Sequence, residues 1–332
     1  MNFARILGYA VLHLWPTALL GQRLARYFSV PGYYFSVRFS GRSALFELAC
    51  ARRTECDAPV ALYPDYICNI VPRALTEAGW IAEAYATDER LEPDWEALCS
   101  RMKRGDVGLL VGASVFGSSA LLDDLADPEK CAVLRDLRVQ VIVDLAQDVG
   151  LVRRLPEKAR DIIRCVVSFN DKSFPGAMGG GILSDVPMPP AGKALAGEKQ
   201  RFLYKRMIRS SLSQLLRWNP KREREGAFEY SSCNAFPFRF SDDYRPAKLQ
   251  LICAVHGMAS LGRYQAAKRS LLDRHAHLET RFASSAAYLI ARDVEMRKGR
   301  LQKRSYAIEQ HPDASLRPDY LIVHNKGFSD HG

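Results

Sequence analysis

Several familiar signatures are missing from this chain, and each absence narrows it. The eight cysteines (50, 56, 68, 99, 131, 165, 233 and 253) form no CxxC pair, the spacing that zinc and dithiol redox sites need. Several sit in apolar stretches, so they read as reduced, buried thiols of a cytoplasmic protein and not as a disulfide frame. No histidine falls between residues 14 and 255. Chemistry within that span therefore has no imidazole base, and no metal site is expected. There is no GK[ST] phosphate loop and no GxGxxG fingerprint. No nucleic-acid motif accompanies the positive charge, and neither internal repeats nor low-complexity tracts occur.

What is present is a 332-residue chain, 48% apolar, with a net charge of +10. That is length enough for a substantial core. Ten Lys/Arg and two Glu lie between Lys193 and Arg224. Phe202, Leu203, Met207, Ile208, Leu212, Leu215 and Leu216 recur there at helical spacing, the pattern of a basic helix packed by its apolar stripe. Such a run also suits an anionic substrate, such as a diphosphate, or anionic lipid. The opening stretch MNFARILGYAVLHLWPTALLG has the positive start of a signal peptide. Its apolar run is broken at His13 and Pro16 and is short for a membrane span. It reads as an amphipathic N-terminal helix over 1–30, with peripheral membrane contact or a partner as its possible neighbours.

Between residues 31 and 190 the chain alternates short apolar runs with helical patterns. VALYPDY (60–66), VGLLVGAS (107–114), VQVIVDLA (139–146), CVVSF (165–169) and GGILS (180–184) are expected strands. Helices are expected over 42–53, 67–78, 92–104 and 122–137. The alternation predicts an α/β domain with a mostly parallel sheet covered by helices. After the Pro-rich VPMPPAGK, residues 191–332 form a reduced, mainly helical C-terminal part, with a long helix at 246–294.

Ligands of open α/β sheets bind at the carboxyl ends of strands, so polar groups just past the apolar runs are the candidates. VIVDLAQD ends in Asp144 and Gln147. A carboxylate there either caps a turn or meets a cationic or protonated partner. SFNDK supplies Ser168 and Lys172; the lysine either snorkels to solvent or acts as a Schiff-base amine. The glycines at 176 and 179–181 mark either a flexible loop or backbone that passes close to a cofactor. FSGRSALFELA sets Ser40-Gly41-Arg42-Ser43 before a helix, either a plain N-cap or an anion cradle. An anion cradle, an acid and a lysine are the three fixtures that pyridoxal 5'-phosphate needs: for its phosphate, its ring nitrogen and its aldehyde.

The order SGxxAL … P-x-Y … D-x-A-Q … SF…K…GGG, with PDWEAL, VFG (115–117) and DYRPAKLQ (243–250), resembles the DegT/StrS family of sugar aminotransferases over about residues 35–280. These are fold-type I pyridoxal-phosphate enzymes. The resemblance implies that Lys172 holds the cofactor covalently and moves protons, and that Asp144 pairs with the pyridine nitrogen. It further implies that Gln147 bonds the ring hydroxyl. Ser168 and the backbone at Gly41, Arg42 and Ser43 would bind the phosphate. An aromatic stacked on the ring would come from YPDYICN, at Tyr66 or the position of Cys68. The implied protein is a homodimeric aminotransferase that takes an amino-acid donor and a nucleotide-linked keto-sugar, in polysaccharide or glycoconjugate assembly. The chain departs from the pattern at four places. Two residues, not three, precede Lys172; Arg42 stands for Thr, Ser114 for His and Asp243 for Asn. A non-catalytic binding or regulatory member of the same family is the alternative.

Overall fold

A computed structural model describes residues 11, 13–65, 67–87, 92–115, 119–169, 178–205 and 238–258. It also describes the backbone of four short strands beyond residue 279. Its centre is a seven-stranded sheet. In chain order the elements are α1 (Thr17–Tyr27), β1 (Tyr34–Arg38), α2 (Gly41–Glu55), β2 (Val60–Pro64), α3 (Ile70–Glu77), β3 (Ile81–Tyr85) and α4 (Trp95–Met102). There follow β4 (Val107–Ala113), α5 (Ala120–Ala126), α6 (Pro128–Asp136), β5 (Gln140–Asp144), β6 (Ile163–Ser168) and β7 (Gly180–Ser184). The strand order is β1-β7-β6-β5-β4-β2-β3. β3, β2, β4, β5 and β6 are parallel, and β7 and β1 close one side as antiparallel strands.

The sheet is apolar on both faces, as a parallel sheet between two helical layers must be. One face packs Leu109, Val111, Ile142, Val166 and Ile182 against Leu45 and Leu48 of α2 and Val71 and Leu75 of α3. The other packs Val141, Val143, Cys165 and Val167 with α1, α4 and the 3₁₀ turn Val149–Arg154. α1 belongs to this second layer through Leu20 and Leu24, both fully buried.

All five strands expected from apolar runs are present. β1 and β3 were not expected. Both are edge strands with partly exposed residues, so they lack the continuous apolar run that marked the others. The expected helix 122–137 is two helices, because Asp127 caps a new start with Pro128 in its first turn. The expected long helix at 246–294 is helical over 248–258. Within its span lie strands β8 (Thr280–Arg281) and β9 (Tyr288–Arg292), which join β10 (Ser305–Ala307) and β11 (Tyr320–His324) in a four-stranded antiparallel sheet. Pairing of β9 with β11 overrides the helical preference of an alanine-containing stretch.

Candidate active site

Strand alternation places the candidate groups. Residues two apart on a strand share a face, so Asp144 lies on the face of Ile142, and Ser168 on that of Val166. Both are on the layer covered by α2. β5 and β6 are neighbours, with Asp144 opposite Val166. The two polar groups therefore share one face at the carboxyl ends of adjacent parallel strands, with Ser168 two residues beyond the level of Asp144.

α2 begins at this same edge. A methyl group on Gly41 would lie 2.9 Å from Cβ and 3.1 Å from Oγ of Ser168. One on Gly180 would lie 2.5 Å from the Gly41 nitrogen, 2.7 Å from the Ser40 carbonyl carbon and 2.7 Å from the Val167 oxygen. One on Gly181 would enter the Phe35 ring, and Gly179 has a φ of +128°, open to glycine. Gly180 and Gly181 are thus required by close approach to the chain's own helix start and to Phe35, and Gly179 by its backbone conformation. Their effect is to seat the positive end of the α2 dipole against Ser168, where an anion is favoured.

The helix start is capped from within. Ser40 accepts the Ser43 N–H at 3.1 Å, and the Ser43 hydroxyl lies 3.2 Å from the Ser40 nitrogen, a reciprocal capping box. The Ser43 hydroxyl also donates to the Ser40 carbonyl at 3.0 Å. Both Ser43 groups are therefore engaged. The donors placed for a phosphate are the first-turn backbone at Gly41 and Arg42 and the buried Ser168 hydroxyl. This set fits a phosphate monoester: a dipole end, a hydroxyl and an arginine within one turn.

Asp144 is half-buried, and its Oδ1 accepts the Ala146 N–H at 2.8 Å. It therefore caps the turn after β5 with one carboxylate oxygen. Its carbonyl accepts the Ser114 N–H at 2.9 Å and the Ser114 hydroxyl at 3.3 Å. Ser114 thereby ties the ends of β4 and β5. Gln147 is half-buried in the turn that follows Asp144, before Asp148 caps the 3₁₀ segment. Cys68 is half-buried in the turn before α3, and its carbonyl accepts the Val71 N–H at 2.9 Å. Tyr66 and Lys172 lie outside the described residues. The flanks of the Lys172 segment are fixed, with Ser168 opposite Gly180 and the Phe169 N–H donating to the Gly179 carbonyl at 2.9 Å. Lys172 thus belongs to the connection that leaves the sheet beside Ser168.

The structure gives the DYRPAKLQ segment two sets of contacts that the sequence did not reveal. Gln250, 1% exposed, donates to the Phe39 carbonyl at 2.9 Å and accepts the Ala247 N–H at 2.8 Å. It holds the residue just before the α2 cap, and its signal was an amide inside an apolar run. Asp243 is exposed and accepts the Gly192 N–H at 2.9 Å, while Arg245 donates to the Gly192 carbonyl at 2.7 Å. The DYR segment is thereby clasped to 192–193 of its own chain.

No protein-family model matches the chain, and no curated protein matches it. Solved structures do match, and they place it in one class: the fold is that of the fold-type I pyridoxal-phosphate enzymes. A DegT DnrJ EryC1 StrS aminotransferase from Brucella abortus is similar at 14% identity and a TM-score of 0.60, over 97% of this chain and 90% of that one. An archaeal O-phosphoseryl-tRNA(Sec) selenium transferase gives 14% and 0.55, over 96% and 71%. An aspartate aminotransferase from Thermotoga maritima gives 12% and 0.50, over 94% and 79%. One architecture serves all three names, so the reaction must be argued from the site.

Proposed function

We propose that this chain is a pyridoxal-phosphate-dependent aminotransferase, with a nucleotide-linked keto-sugar as acceptor, an amino acid as donor and a role in polysaccharide or glycoconjugate assembly. The observation that carries the reading is the apposition of Ser168 and Gly41 beside Asp144, on one face at the carboxyl edge of the sheet. When bound, the cofactor supplies an electron sink that labilises a proton next to the amino group. Gly41, Arg42 and Ser168 hold the phosphate end. Asp144, which keeps one carboxylate oxygen in its turn, would pair with a protonated ring nitrogen. Gln147 would meet the ring hydroxyl, and Cys68 or Tyr66 would lie against the ring face. Lys172 would hold the aldehyde end and serve as the proton carrier. Arg42 adds a fixed positive charge at the helix start, and a diphosphate-bearing substrate suits the basic run 193–224.

Borohydride reduction of protein mixed with the cofactor, followed by peptide mapping, tests this. The expected product is a single adduct on Lys172, and a reduced adduct on other lysines alone defeats the reading. A non-catalytic family member is the second reading, prompted by Asp243, which bonds within its own chain where the family's Asn approaches the partner subunit. Full adduct formation without amino-group exchange from any donor would favour it.

A further inference from the structure

The first acidic residue of the chain is Glu47, and five arginines precede it. α1 sends Leu20 and Leu24 into the core, and the Phe28 ring that follows stacks on Phe35 at 4.6 Å and Phe169 at 5.7 Å. The opposite side is not the wholly polar face a docked surface helix normally shows. Leu19, Arg23 and Arg26 recur at helical spacing away from Leu20 and Leu24, and so form one stripe; half-buried Trp15, in the bend before α1, packs on the core at the near end of it. The Arg23 guanidinium lies over the Trp15 ring at 5.9 Å. Beside this stripe Leu14 is 84% exposed, Val11 45% and Leu19 40%. These are three of the six large apolar side chains exposed among the described residues. Exposed apolar groups gathered in one place mark an interaction surface.

We propose that this face rests on an anionic membrane surface. Arginine beside exposed leucine and valine suits a helix that lies in the headgroup region, with guanidinium groups on anionic lipid and apolar groups below them. No helix among the described residues is long and apolar enough to cross a membrane, so the segment lies on the bilayer and does not span it. A second copy is the weaker occupant, because an isologous contact sets like patches together and this segment has no acid to meet its own arginines. An anionic leaflet supplies the missing sign. The face is tied to the candidate site by two hydrogen bonds. The Lys248 ammonium donates to the His13 carbonyl at 2.8 Å, and Gln250 on the same helix holds the Phe39 carbonyl at 2.9 Å. The membrane contact stands independently of the catalytic proposal.

Flotation of the full-length protein tests it, with vesicles of phosphatidylcholine alone or with phosphatidylglycerol added. The protein should float with the anionic vesicles only, and high salt should release it. Leu14→Asp and the double variant Arg23→Gln/Arg26→Gln should each lower the bound fraction about tenfold, with unchanged melting curves and cofactor uptake. The proposal is overturned if the wild type stays down with anionic vesicles, or if the variants float as well as it does. It is equally overturned if Leu14→Asp splits a dimer in sedimentation velocity without changing flotation, since the face is then a subunit interface.

Discussion

The two ends of the β6–β7 pair are built on opposite principles. At the carboxyl end of β6 the chain uses its smallest residues, Gly180 and Gly41 with Ser168, and brings a helix start within contact of a strand. At the amino end it buries charge. Arg52 is 4% exposed and Arg164 is 7% exposed. Glu55 accepts from Arg52 at 2.8 Å and from Arg164 at 3.3 Å, and Asp185 lies 3.5 Å from the Arg164 Nε. Burial and the neighbouring Arg164 charge pull the Arg52 guanidinium below its ordinary value. On the proposed function one end is where main-chain donors would meet a ligand, while the other uses charge internally to join α2, β6 and β7. The proposed binding end and the ionic cluster lie at opposite ends of the same two strands, about 20 Å end to end for strands of this length.

Substitutions at the two ends should break this comparison in different ways. The largest effect is expected for Gly180→Ala. Its new methyl meets only backbone atoms, which cannot swing aside, so the first turn of α2 must leave the sheet. Cofactor affinity should drop about a hundredfold in an absorbance titration, with a lower melting temperature; unchanged affinity would show that the helix start is not the phosphate site. Next comes Arg164→Met at the other end, which removes the cation beside Asp185 and leaves Glu55 with Arg52 alone. It should cost about 2 kcal/mol in denaturant unfolding, the lower range for breaking a buried ionic cluster because Glu55 is half exposed. Arg52→Met should instead be neutral or stabilising, because two of its buried nitrogens have no hydrogen-bond partner. Equal losses from both variants would remove the distinction between them.

Smaller effects should sharpen the contrast. Ser168→Ala should weaken cofactor binding about tenfold, the value of one hydrogen bond to a charged group, and leave the melting temperature in place. A fall in stability without loss of affinity would make Ser168 a packing residue. Ser40→Ala removes the α2 cap and should cost about 1 kcal/mol. The smallest effect is in acid. Hydrogen bonds from Arg101 hold the Glu83 and Asp106 carboxyls below their usual values. The stability they lend is present above the unfolded carboxylate range, near pH 4, and is lost as pH falls through the lower folded values. Arg101→Gln should flatten that limb of the unfolding curve slightly, since both carboxylates are well solvated.

The legible part of the sequence was the part governed by local pattern. Continuous apolar runs revealed β2, β4, β5, β6 and β7, and two of the polar residues singled out after them, Asp144 and Ser168, end β5 and β6. Asp144 and Ser168 do share an edge. The glycine run was noticed, but its cause was not readable, because Gly180 answers to Ser40 and Gly41 far back in the chain. The edge strands were missed for want of an apolar run. Gln250 was missed as a site-shaping residue because its partner, Phe39, lies 211 positions away. The N-cap reading of Ser40-Gly41-Arg42-Ser43 is what the structure shows, as a capping box between Ser40 and Ser43.

The first strand of the sheet makes a demand on biosynthesis. Among the described residues β1 has β7 as its neighbour in the sheet, and the Arg38 guanidinium bonds the Pro189 carbonyl, 151 positions later. Until the ribosome has delivered that later stretch, the opening residues have no place to dock, and the apolar rings of Phe28 and Phe35 stay uncovered. Contacts so distant in sequence slow folding.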